Sequence, residues 1–409
     1  MVERVVRNDE ARGSNPLIST IMSSLPVFCK VFVFSYYIIC VGLHLALMFG
    51  IFLEWLREKK ALKNASANPT APAVSIIIPF HNEENRIGAL LKSLVTQDYI
   101  NAEYIFVNDR SSDNSPKLIG DFIKGLAQNG PKARMISLTE NPGPNYKQYA
   151  LARGIEISNG EFLLFTDADC QIPPTWIGAM IKRMSNEKTG AAIGPVFKRS
   201  GGKGFFHLYQ CFEHGIRYVY LAGATGLGAA GGGFGNNLIL RRSCLDAVGG
   251  YDKIPPSPTE DAALISEIRS RTNYQIRSAL GRDVHVITQG EDNWKNLINQ
   301  TLRWNNGGLF CPDLITRLNY NFLMIIITLG VLPVPLLPFF PFLWLLPFGQ
   351  FTIMVFNTIA NIGLFGVSLP KKRFCFGYAL TLLFTPVYFT LMTLLGYLGF
   401  KATWKGKEL

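Results

Sequence analysis

Long apolar runs flank a central region in which short apolar runs recur among polar residues. The run at residues 31–53 contains no Asp, Glu, Lys or Arg, and at ~1.5 Å per helical residue it can cross a ~30 Å hydrocarbon core. It is too long for a signal-peptide core and no small-residue cleavage site follows it, so we predict a retained transmembrane helix. A mixed-charge N-terminal segment, residues 1–30, precedes it.

Two later stretches, residues 320–370 and 374–400, also lack charged side chains. The first is long enough for two crossings, at 320–345 and 349–368, and the second for one more. We therefore predict a C-terminal membrane domain over residues 320–400 with about three spans. Prolines in the first of these spans predict a kink or an interfacial segment. They are Pro333, Pro335, Pro338 and Pro341.

Between these regions the pattern changes to short strands that alternate with amphipathic helices. The predicted strands are residues 74–79, 104–107, 134–138 and 162–165, and the predicted helices are 83–96, 116–127 and 146–158. This alternation predicts an α/β domain with a mostly parallel sheet. A small, polar, proline-containing linker, residues 64–73, joins it to the first membrane helix.

Polar side chains follow the predicted strands at the edge where parallel sheets bind ligands. Asp167 and Asp169 come directly after the apolar strand at 162–165. Two hard oxygen ligands near a phosphate-bearing substrate suit Mg²⁺ or Mn²⁺, although a solvated turn after a strand explains an isolated Asp-x-Asp equally well. Asn82 and Glu83 follow the first strand and Asp109 the second; helix caps or turn residues are the alternatives there.

Composition and charge indicate which classes of binding partner to expect. Hydrophobic residues make up 48% and charged residues 17% of the chain, and the net charge is +11. This balance fits anionic lipid or an anionic substrate, and we expect no nucleic-acid polymer as partner. The seven cysteines have no C-x-x-C spacing, which favours free thiols in a reducing compartment. His207, His214 and His285 lack metal-ligand spacing and are predicted to be ordinary polar residues.

Five motifs occur in order along the chain. They are Val74-Ser-Ile-Ile-Ile-Pro-Phe-His-Asn-Glu-Glu84, Val107-Asn-Asp-Arg-Ser-Ser-Asp113, Asp167-Ala-Asp169, Thr259-Glu260-Asp261 and Gln300-Thr-Leu-Arg303-Trp304. In order and spacing this series resembles the membrane-bound family 2 glycosyltransferases, over a predicted catalytic domain at residues 74–310. The resemblance implies a GT-A fold, a nucleotide-diphospho-sugar donor with uridine expected, a divalent metal, and inversion at the anomeric carbon.

The resemblance also implies roles for individual residues. Asn82, Glu83, Asp109, Lys147 and Asp167 would contact the donor, and Asp169 would bind the metal. Asp261 would be the general base with Glu260 beside it, and Gln300, Arg303 and Trp304 would line the acceptor channel and hold the leaving diphosphate. As isolated features, a helix start at Thr259 and an interfacial anchor at Trp304 are the alternatives.

The chain departs from the family pattern at three points. Asn108 stands where many members carry a first Asp, and Tyr146 replaces the Gly that usually precedes Lys147, which puts a tight loop there in doubt. The Gly226-Leu-Gly-Ala-Ala-Gly231 match to a dinucleotide fingerprint does not open the first helix of a βαβ unit, so we discount it. The glycine-rich run at residues 223–235 is instead expected to form a close-packed loop near the acceptor.

These features predict an enzyme that moves a sugar from a nucleotide-sugar to a lipid or lipid-linked glycan at the cytoplasmic membrane. An excess of basic residues after the first span predicts that the catalytic domain is cytoplasmic; Arg57, Lys59, Lys60 and Lys63 follow the span, against Arg4, Arg7 and Arg12 before it. A processive polysaccharide synthase is the alternative within the same chemistry. A membrane protein that only binds a nucleotide is the alternative outside it.

Overall fold

The computed structural model describes the backbone of residues 16–67, 71–126, 130–199, 202, 204–365, 374–404 and 407–408. The first fifteen residues of the predicted N-terminal segment lie outside the described residues, as do residues 366–368 of the predicted third span. Within the described ranges, an α/β domain lies between one long N-terminal helix and a group of apolar C-terminal helices.

Short strands build two sheets and a terminal hairpin. In chain order they are β1 (Val74–Phe80), β2 (Ala102–Asp109), β3 (Lys132–Leu138), β4 (Phe162–Phe165), β5 (Cys170–Gln171), β6 (Thr189–Ile193), β7 (Val196–Arg199), β8 (Leu238–Arg241), β9 (Gln275–Ser278), β10 (Val286–Gln289), β11 (Thr403–Trp404) and β12 (Lys407–Glu408). The main sheet has the order β3-β2-β1-β4-β8-β6-β9. Its first four strands are parallel and β8 runs antiparallel to both neighbours. The predicted mixed α/β class with a parallel-dominated sheet is therefore confirmed.

Helices cover both faces of this sheet and continue beyond it. They are α1 (Pro16–Ala67), α2 (Gly88–Val95), α3 (Ser115–Gly125), α4 (Tyr146–Glu156), α5 (Trp176–Arg183), α6 (Phe205–Gly226), α7 (Arg242–Ala247), α8 (Glu260–Arg271), α9 (Trp294–Leu309), α10 (Leu314–Val331), α11 (Leu345–Phe365) and α12 (Phe374–Tyr397). Neighbouring residues of a strand point to opposite faces. Ile77 accordingly packs in the core under α4 and α8, while Ile76 packs in the core under α2 and α5.

The chain after β1 is a turn where we predicted the start of a helix. The backbone N–H of Glu83 donates to Ser115 Oγ at 2.7 Å, and that of Glu84 donates to Asp113 Oδ2 at 3.0 Å. Because these N–H groups bind side chains of residues 113–115, they are not part of a helix, and α2 begins only at Gly88. The predicted helix start at residue 83 is therefore wrong by five residues.

Four of the described helices are long and apolar enough to cross a membrane, at Val27–Ser66, Leu314–Leu336, Pro341–Asn361 and Leu380–Tyr397. The first helix continues through Ala67, so the predicted linker is wrong over its first four residues. The predicted kink is present, because two short 3-10 turns, Val334–Leu336 and Pro341–Trp344, separate α10 from α11. Residues 320–345 therefore do not form one uninterrupted span.

The first helix packs closely against α6 at a crossing built from glycines. A Cβ at Gly50 would lie 2.1 Å from the Gly223 carbonyl oxygen, and a Cβ at Gly226 would lie 1.9 Å from the Gly50 carbonyl oxygen. Small residues allow two helix backbones to approach in this way. Gly226 thus serves helix packing, which agrees with discounting the dinucleotide fingerprint.

Ion pairs and hydrogen bonds join the same helix to the α/β domain. Arg183 lies between Glu58 of α1, at 2.5 Å, and Asp283, at 2.8 Å. One turn earlier, Glu54 Oε2 accepts the backbone N–H of Ser278 at 2.8 Å. These contacts place the end of α1 against β9 and set the domain beside the membrane helices.

Candidate functional site

The predicted site residues come together at the carboxyl ends of the central strands. A cavity of about 430 Å³ lies there and is lined by every predicted site residue except Asn82. The ends of β1, β2 and β4 form one side, the first turns of α4 and α8 a second, and α9 a third. Acids at this edge were expected from the strand pattern, because ligands of parallel sheets bind outside the carboxyl ends of the strands.

Lys147 links two of the predicted carboxylates. Its Nζ lies 2.7 Å from Asp167 Oδ1 and 3.2 Å from Glu260 Oε1. Although burial opposes the charge, the two carboxylates raise the pKa of Lys147 above its usual value. Lys147 therefore stays protonated between the end of β4 and the start of α8.

The first turn of α4 aims Lys147 without the glycine of the family pattern. Asn145 is the N-cap residue, and its Oδ1 accepts the backbone N–H groups of Lys147 at 2.9 Å and Gln148 at 3.2 Å. Its amide also donates to the Ser257 carbonyl at 2.7 Å. Tyr146 adopts ordinary helical geometry here, since its φ is not positive. The Asn145 cap therefore forms the turn before Lys147 without a glycine at position 146.

Asp261 has different surroundings from the adjacent Glu260. Its Oδ2 accepts the backbone N–H of Gly235 and its Oδ1 accepts that of Ala262, both at 2.8 Å. Burial and the Glu260 carboxylate raise the pKa of Asp261 to about 6. Burial alone would also raise the pKa of Glu260, but Lys147 and Arg303 hold it below its usual value. Asp261 is thus the carboxylate of this pair that is better suited to accept a proton.

Asp169 is the carboxylate best suited to hold a cation. Burial, together with the carboxylates of Asp167 and Glu83, raises the pKa of Asp169 to about 6. Its Oδ2 accepts one hydrogen bond, from Thr288 Oγ1 at 3.0 Å, which leaves lone pairs for a further ligand. Within the described ranges no group of three or more His, Cys, Asp or Glu side chains is arranged so that it could hold a metal ion by itself. One or two carboxylates with phosphate and water oxygens are the usual Mg²⁺ donor set, so the residues present fit such an ion.

Gln300 belongs to a hydrogen-bonded row of polar side chains in the cavity wall. Its Oε1 accepts a hydrogen bond from Lys198 Nζ, and its Nε2 donates to Glu291 Oε1 at 2.7 Å. Burial lowers the pKa of Lys198 below its usual value. These two hydrogen bonds hold Gln300 in the cavity wall.

Arg303 and Trp304 follow on the same helix. Arg303 Nη1 donates to the Pro258 carbonyl at 2.9 Å, which connects α9 to the loop before Asp261. The Trp304 ring lies 5.1 Å from the Arg217 guanidinium and 5.2 Å from Lys198 Nζ, measured from the ring centroid. Both distances are within the range of cation–π attraction. Trp304 therefore lines the cavity and is not only an interfacial anchor.

Asp109 lies at the end of β2, and one of its carboxylate oxygens accepts two hydrogen bonds. Its Oδ1 accepts from Arg110 Nε at 2.9 Å and from Asn141 Nδ2 at 3.1 Å. Arg110 has a φ of 59°, a left-handed conformation that is unfavourable for a residue with a long side chain. Its guanidinium lies 4.5 Å from the Tyr146 ring centroid. Asp109 lines the cavity on the β2 side, and Arg110 and Asn141 hold its carboxylate there.

Asn82 lies beside this wall and outside the cavity lining. Its Oδ1 accepts the Ser112 N–H at 2.8 Å, and its own N–H donates to Ser111 Oγ at 3.1 Å. In this structure it connects the loops after β1 and β2. Its donor contact stays a prediction.

Sequence reasoning missed several residues of the cavity. Thr288, Glu291, Lys198 and Gly235 are each isolated in the sequence and carry no motif. Gly235 is tightly placed, since a Cβ there would lie 3.3 Å from Glu260 Oε1. The glycine-rich run gave a partial signal for it, because a close-packed loop near the acceptor was expected there.

Comparison with known proteins agrees with this geometry. Residues 75–249 match the sequence profile described as "Glycosyl transferase family 2". The chain carries a family 2 glycosyltransferase domain. The match covers β1 to β8 and includes Asp109, Lys147, Asp167 and Asp169, while Asp261 and Arg303 lie beyond it.

Two curated relatives extend the similarity past this domain. The "Beta-monoglucosyldiacylglycerol synthase" of Trichormus variabilis is 26% identical over 279 residues, which is 65% of this chain and 58% of that protein. The "Probable glycosyltransferase YdaM" of Bacillus subtilis is 28% identical over 282 residues, 65% of this chain and 63% of that protein. The chain therefore spans less than two thirds of the length of these relatives.

A solved structure supports the fold. "Mannosyltransferase PcManGT from Pyrobaculum calidifontis in complex with GDP-Man and Mn2+" aligns with a TM-score of 0.51 at 17% identity, over 88% of this chain and 99% of that one. At this identity the likeness concerns the fold. The GT-A fold expected from the motifs is confirmed.

Proposed function

We propose that this protein transfers a sugar from a nucleotide-diphospho-sugar to a hydroxyl group of a membrane lipid, with inversion at the anomeric carbon. One observation carries the proposal. The cavity that holds the Asp167, Lys147 and Asp261 side chains is also lined by residues of the membrane-spanning helices, among them Tyr320 and Met354. The proposed donor site and the space between the apolar helices thus belong to one cavity, which Asp261 also lines.

The donor half of the site has the charges that a nucleotide diphosphate requires. Arg86, Lys147 and Arg303 line the cavity beside Asp167 and Asp169, and Asp169 would hold the divalent ion. The bound ion would supply positive charge to the departing nucleotide. Asp109 would accept hydrogen bonds from the base or ribose, and a uridine nucleotide is the donor that the motifs favour.

The reaction is a single displacement. The acceptor oxygen bonds to the anomeric carbon as the bond from that carbon to the diphosphate oxygen breaks, and Asp261 receives the hydroxyl proton. The electron pair of the broken bond leaves with the nucleotide diphosphate, whose charge Lys147 and Arg303 are positioned to stabilise. The side chain of Trp304 can pack against a sugar ring. No second carboxylate nucleophile is needed, which is why inversion is expected.

The need for a base favours a hydroxyl acceptor. A lipid phosphate is already a nucleophile at neutral pH, whereas a hydroxyl must lose a proton as it attacks. The raised pKa of Asp261, about 6, suits that proton transfer. A beta-monoglucosyldiacylglycerol synthase among the relatives supports a lipid of this class, and the basic residues after the first span support a cytoplasmic site.

A donor panel tests the proposal. The purified full chain in native lipid extract is incubated with radiolabelled UDP- and GDP-hexoses, with Mn²⁺ or Mg²⁺, or with excess chelator. We expect cation-dependent release of one nucleotide and label in a lipid that carries one added sugar of inverted configuration. A long polymer would instead favour the processive synthase, and nucleotide binding with no label in any product would favour a protein that only binds.

A further inference from the structure

The cavity does not end at Trp304, because it continues between the membrane-spanning helices. Part of its polar lining there comes from α1, α6 and α11, namely from His44, His214, Gln350 and Asn357. All four residues are more than nine-tenths buried. Polar residues in such a position need a structural or a functional explanation.

Protein groups do not satisfy these four side chains. In the part of the chain that the structure describes, both ring nitrogens of His44 and of His214 have no hydrogen-bond partner, nor do Gln350 Oε1 and Asn357 Oδ1. A buried polar group left unsatisfied costs about 1–3 kcal/mol. A polar group that enters the cavity can satisfy these atoms when their side chains turn toward it.

The amides of α11 are arranged to accept hydrogen bonds. Gln350 and Asn357 are two helical turns apart, so they lie on one face of the helix. Gln350 Nε2 donates to Tyr36 Oη at 2.7 Å and to the Ile326 carbonyl at 2.9 Å. With its donors used in this way, the Gln350 carbonyl oxygen remains as an acceptor.

The lining at this end of the cavity is electrically neutral. Burial, with Lys198 and Arg217 nearby, holds the pKa of His214 well below its usual value, so the imidazole is uncharged. Arg217 itself is paired with Glu213 of the same helix. An anionic headgroup would find no surplus positive charge here, whereas hydroxyl groups could both donate to the amide oxygens and accept from an imidazole N–H.

We propose that His44, His214, Gln350 and Asn357 form a subsite for the uncharged, hydroxyl-bearing headgroup of the acceptor lipid. The headgroup is a glycerol or a sugar, and its free hydroxyl is directed toward Asp261 while the acyl chains lie along the membrane helices. This inference rests on the proposed function, since it names the acceptor class of the same site.

Lipid binding without any donor tests the subsite. Native mass spectrometry of the purified full chain in detergent compares diacylglycerol, glucosyl-diacylglycerol and phosphatidic acid with the same acyl chains. The test variant combines Gln350→Leu with Asn357→Leu, which makes α11 more apolar and so does not disfavour membrane insertion. The matched control is Thr358→Val, because the Thr358 hydroxyl donates to Met354 O at 2.8 Å within its own helix and does not line the cavity.

We expect the parent to retain the two uncharged lipids in preference to phosphatidic acid. The double variant should bind them about tenfold more weakly, since each lost hydrogen bond is worth about 0.5–1.5 kcal/mol and 1.4 kcal/mol is a factor of ten. Thr358→Val should bind like the parent. Equal retention of phosphatidic acid, or unchanged binding in the double variant, overturns the subsite.

The donor panel separates this inference from the proposed function. A chain that transfers sugar but whose lipid binding is unaffected by the double substitution keeps the proposed function and loses the subsite. A chain that binds the uncharged lipids through Gln350 and Asn357 but releases nucleotide from no donor keeps the subsite and loses the transferase.

Discussion

Glu260 and Asp261 are neighbours in the sequence, yet their surroundings separate them chemically. Lys147 lies 3.2 Å from Glu260, while Asp261 accepts hydrogen bonds from the backbone N–H groups of Gly235 and Ala262. The pKa of Glu260 is held below its usual value, whereas that of Asp261 is raised to about 6. Two environments thus give one permanent anion and one proton acceptor, an arrangement that acid–base enzymes use.

The raised pKa of Asp261 predicts the pH dependence of the reaction. A general base works in its ionised form, so kcat/KM should fall about tenfold per pH unit below pH 6 and be level above about pH 7. The measurement is kcat/KM for the donor across this range at saturating Mn²⁺. Saturation matters because Asp169 also has a pKa of about 6, and a bound cation keeps that carboxylate ionised.

The cation also supplies the control for the pH profile. If the midpoint moves when the Mn²⁺ concentration is changed within the saturating range, the titrating group is a cation ligand and the assignment to Asp261 is contradicted. A profile that is flat between about pH 5 and pH 7 would contradict it too.

Removal of the positive charge at Lys147 should alter both rate and pH profile. In Lys147→Met, Asp167 and Glu260 lose their shared partner, and one group that stabilises the leaving nucleotide is lost. We expect kcat to fall about 10²-fold, as for the loss of one preorganised donor. The pH midpoint should move upward, because Lys147 lowers the pKa of Asp261. Lys147→Arg, which keeps the charge, is the matched control, and an unshifted midpoint in Lys147→Met would count against this account.

At the residue scale, the types of group in the site could be predicted and their partners could not. Asp167, Asp169 and Asp261 belong to motifs, and the strand pattern indicates the edge at which the first two lie. The contact of Lys147 with Glu260 joins residues 113 positions apart, and Lys198 and Thr288 have no motif at all. Such contacts depend on how α4, α8 and β10 meet, which no local pattern encodes.

At the scale of elements, the crossing of α1 and α6 holds the first membrane helix against the catalytic domain. The backbones approach so closely at Gly50 that any Cβ would collide with Gly223. Side chains larger than hydrogen must therefore push the helices apart, at the cost of the packing on both sides.

Gly50→Val should consequently destabilise the protein. We expect a loss of about 1–3 kcal/mol or more from overpacking, measured as a lower midpoint of thermal unfolding in detergent. Gly42→Val in the same helix is the matched control, because a Cβ at Gly42 has no atom within 4 Å. Equal midpoints for the two variants would show that the close crossing does not contribute to stability.

The elements themselves were largely predictable, and the errors have local causes. The four predicted strands and two of the three predicted helices of the α/β domain agree to within a few residues, because apolar periodicity and turn residues mark them. The strands and helices of this domain after residue 165 were not predicted. The helix predicted from residue 83 fails because Ser115 and Asp113 bind the backbone N–H groups of Glu83 and Glu84. The predicted linker is wrong at its start, because residues 64–67 continue α1 despite their polar composition.

At the scale of the whole molecule, ion pairs connect the first apolar helix to the α/β domain. Arg183 pairs with Glu58 and Asp283 in a largely buried position. Glu58 also accepts the backbone N–H groups of Leu280 and Gly281, at 2.9 and 3.2 Å. These contacts hold the end of α1 against the segment that follows β9.

Glu58→Gln should weaken this connection. Loss of one partner from a buried ion pair costs about 3–5 kcal/mol, and the lower end applies here because Asp283 remains beside Arg183. The midpoint of thermal unfolding in detergent is the measurement. Glu267→Gln, in the exposed pair with Arg271 on α8, is the control and should be nearly neutral. A Glu58→Gln midpoint equal to that of the control would contradict a stabilising role.

The continuous cavity was not predictable from the sequence. Its walls come from α1, the sheet edge, α6, α9 and the C-terminal helices, which are separated by up to several hundred residues. The sequence predicts that a catalytic domain lies beside a membrane, and the packing of α1 against α6 and α11 decides that the two share one space. This shared space is the basis for assigning a lipid acceptor.

The central claim is that Asp261 is the base in sugar transfer to a membrane lipid. It is tested most directly by the rate at which radiolabelled sugar enters lipid with the parent, Asp261→Asn and the exposed-site control Asp246→Asn, with nucleotide binding measured in parallel. The account predicts that Asp261→Asn loses about 10²–10⁴-fold in rate while it binds nucleotide like the parent, and that Asp246→Asn is unchanged. Transfer by Asp261→Asn at the parental rate would contradict it.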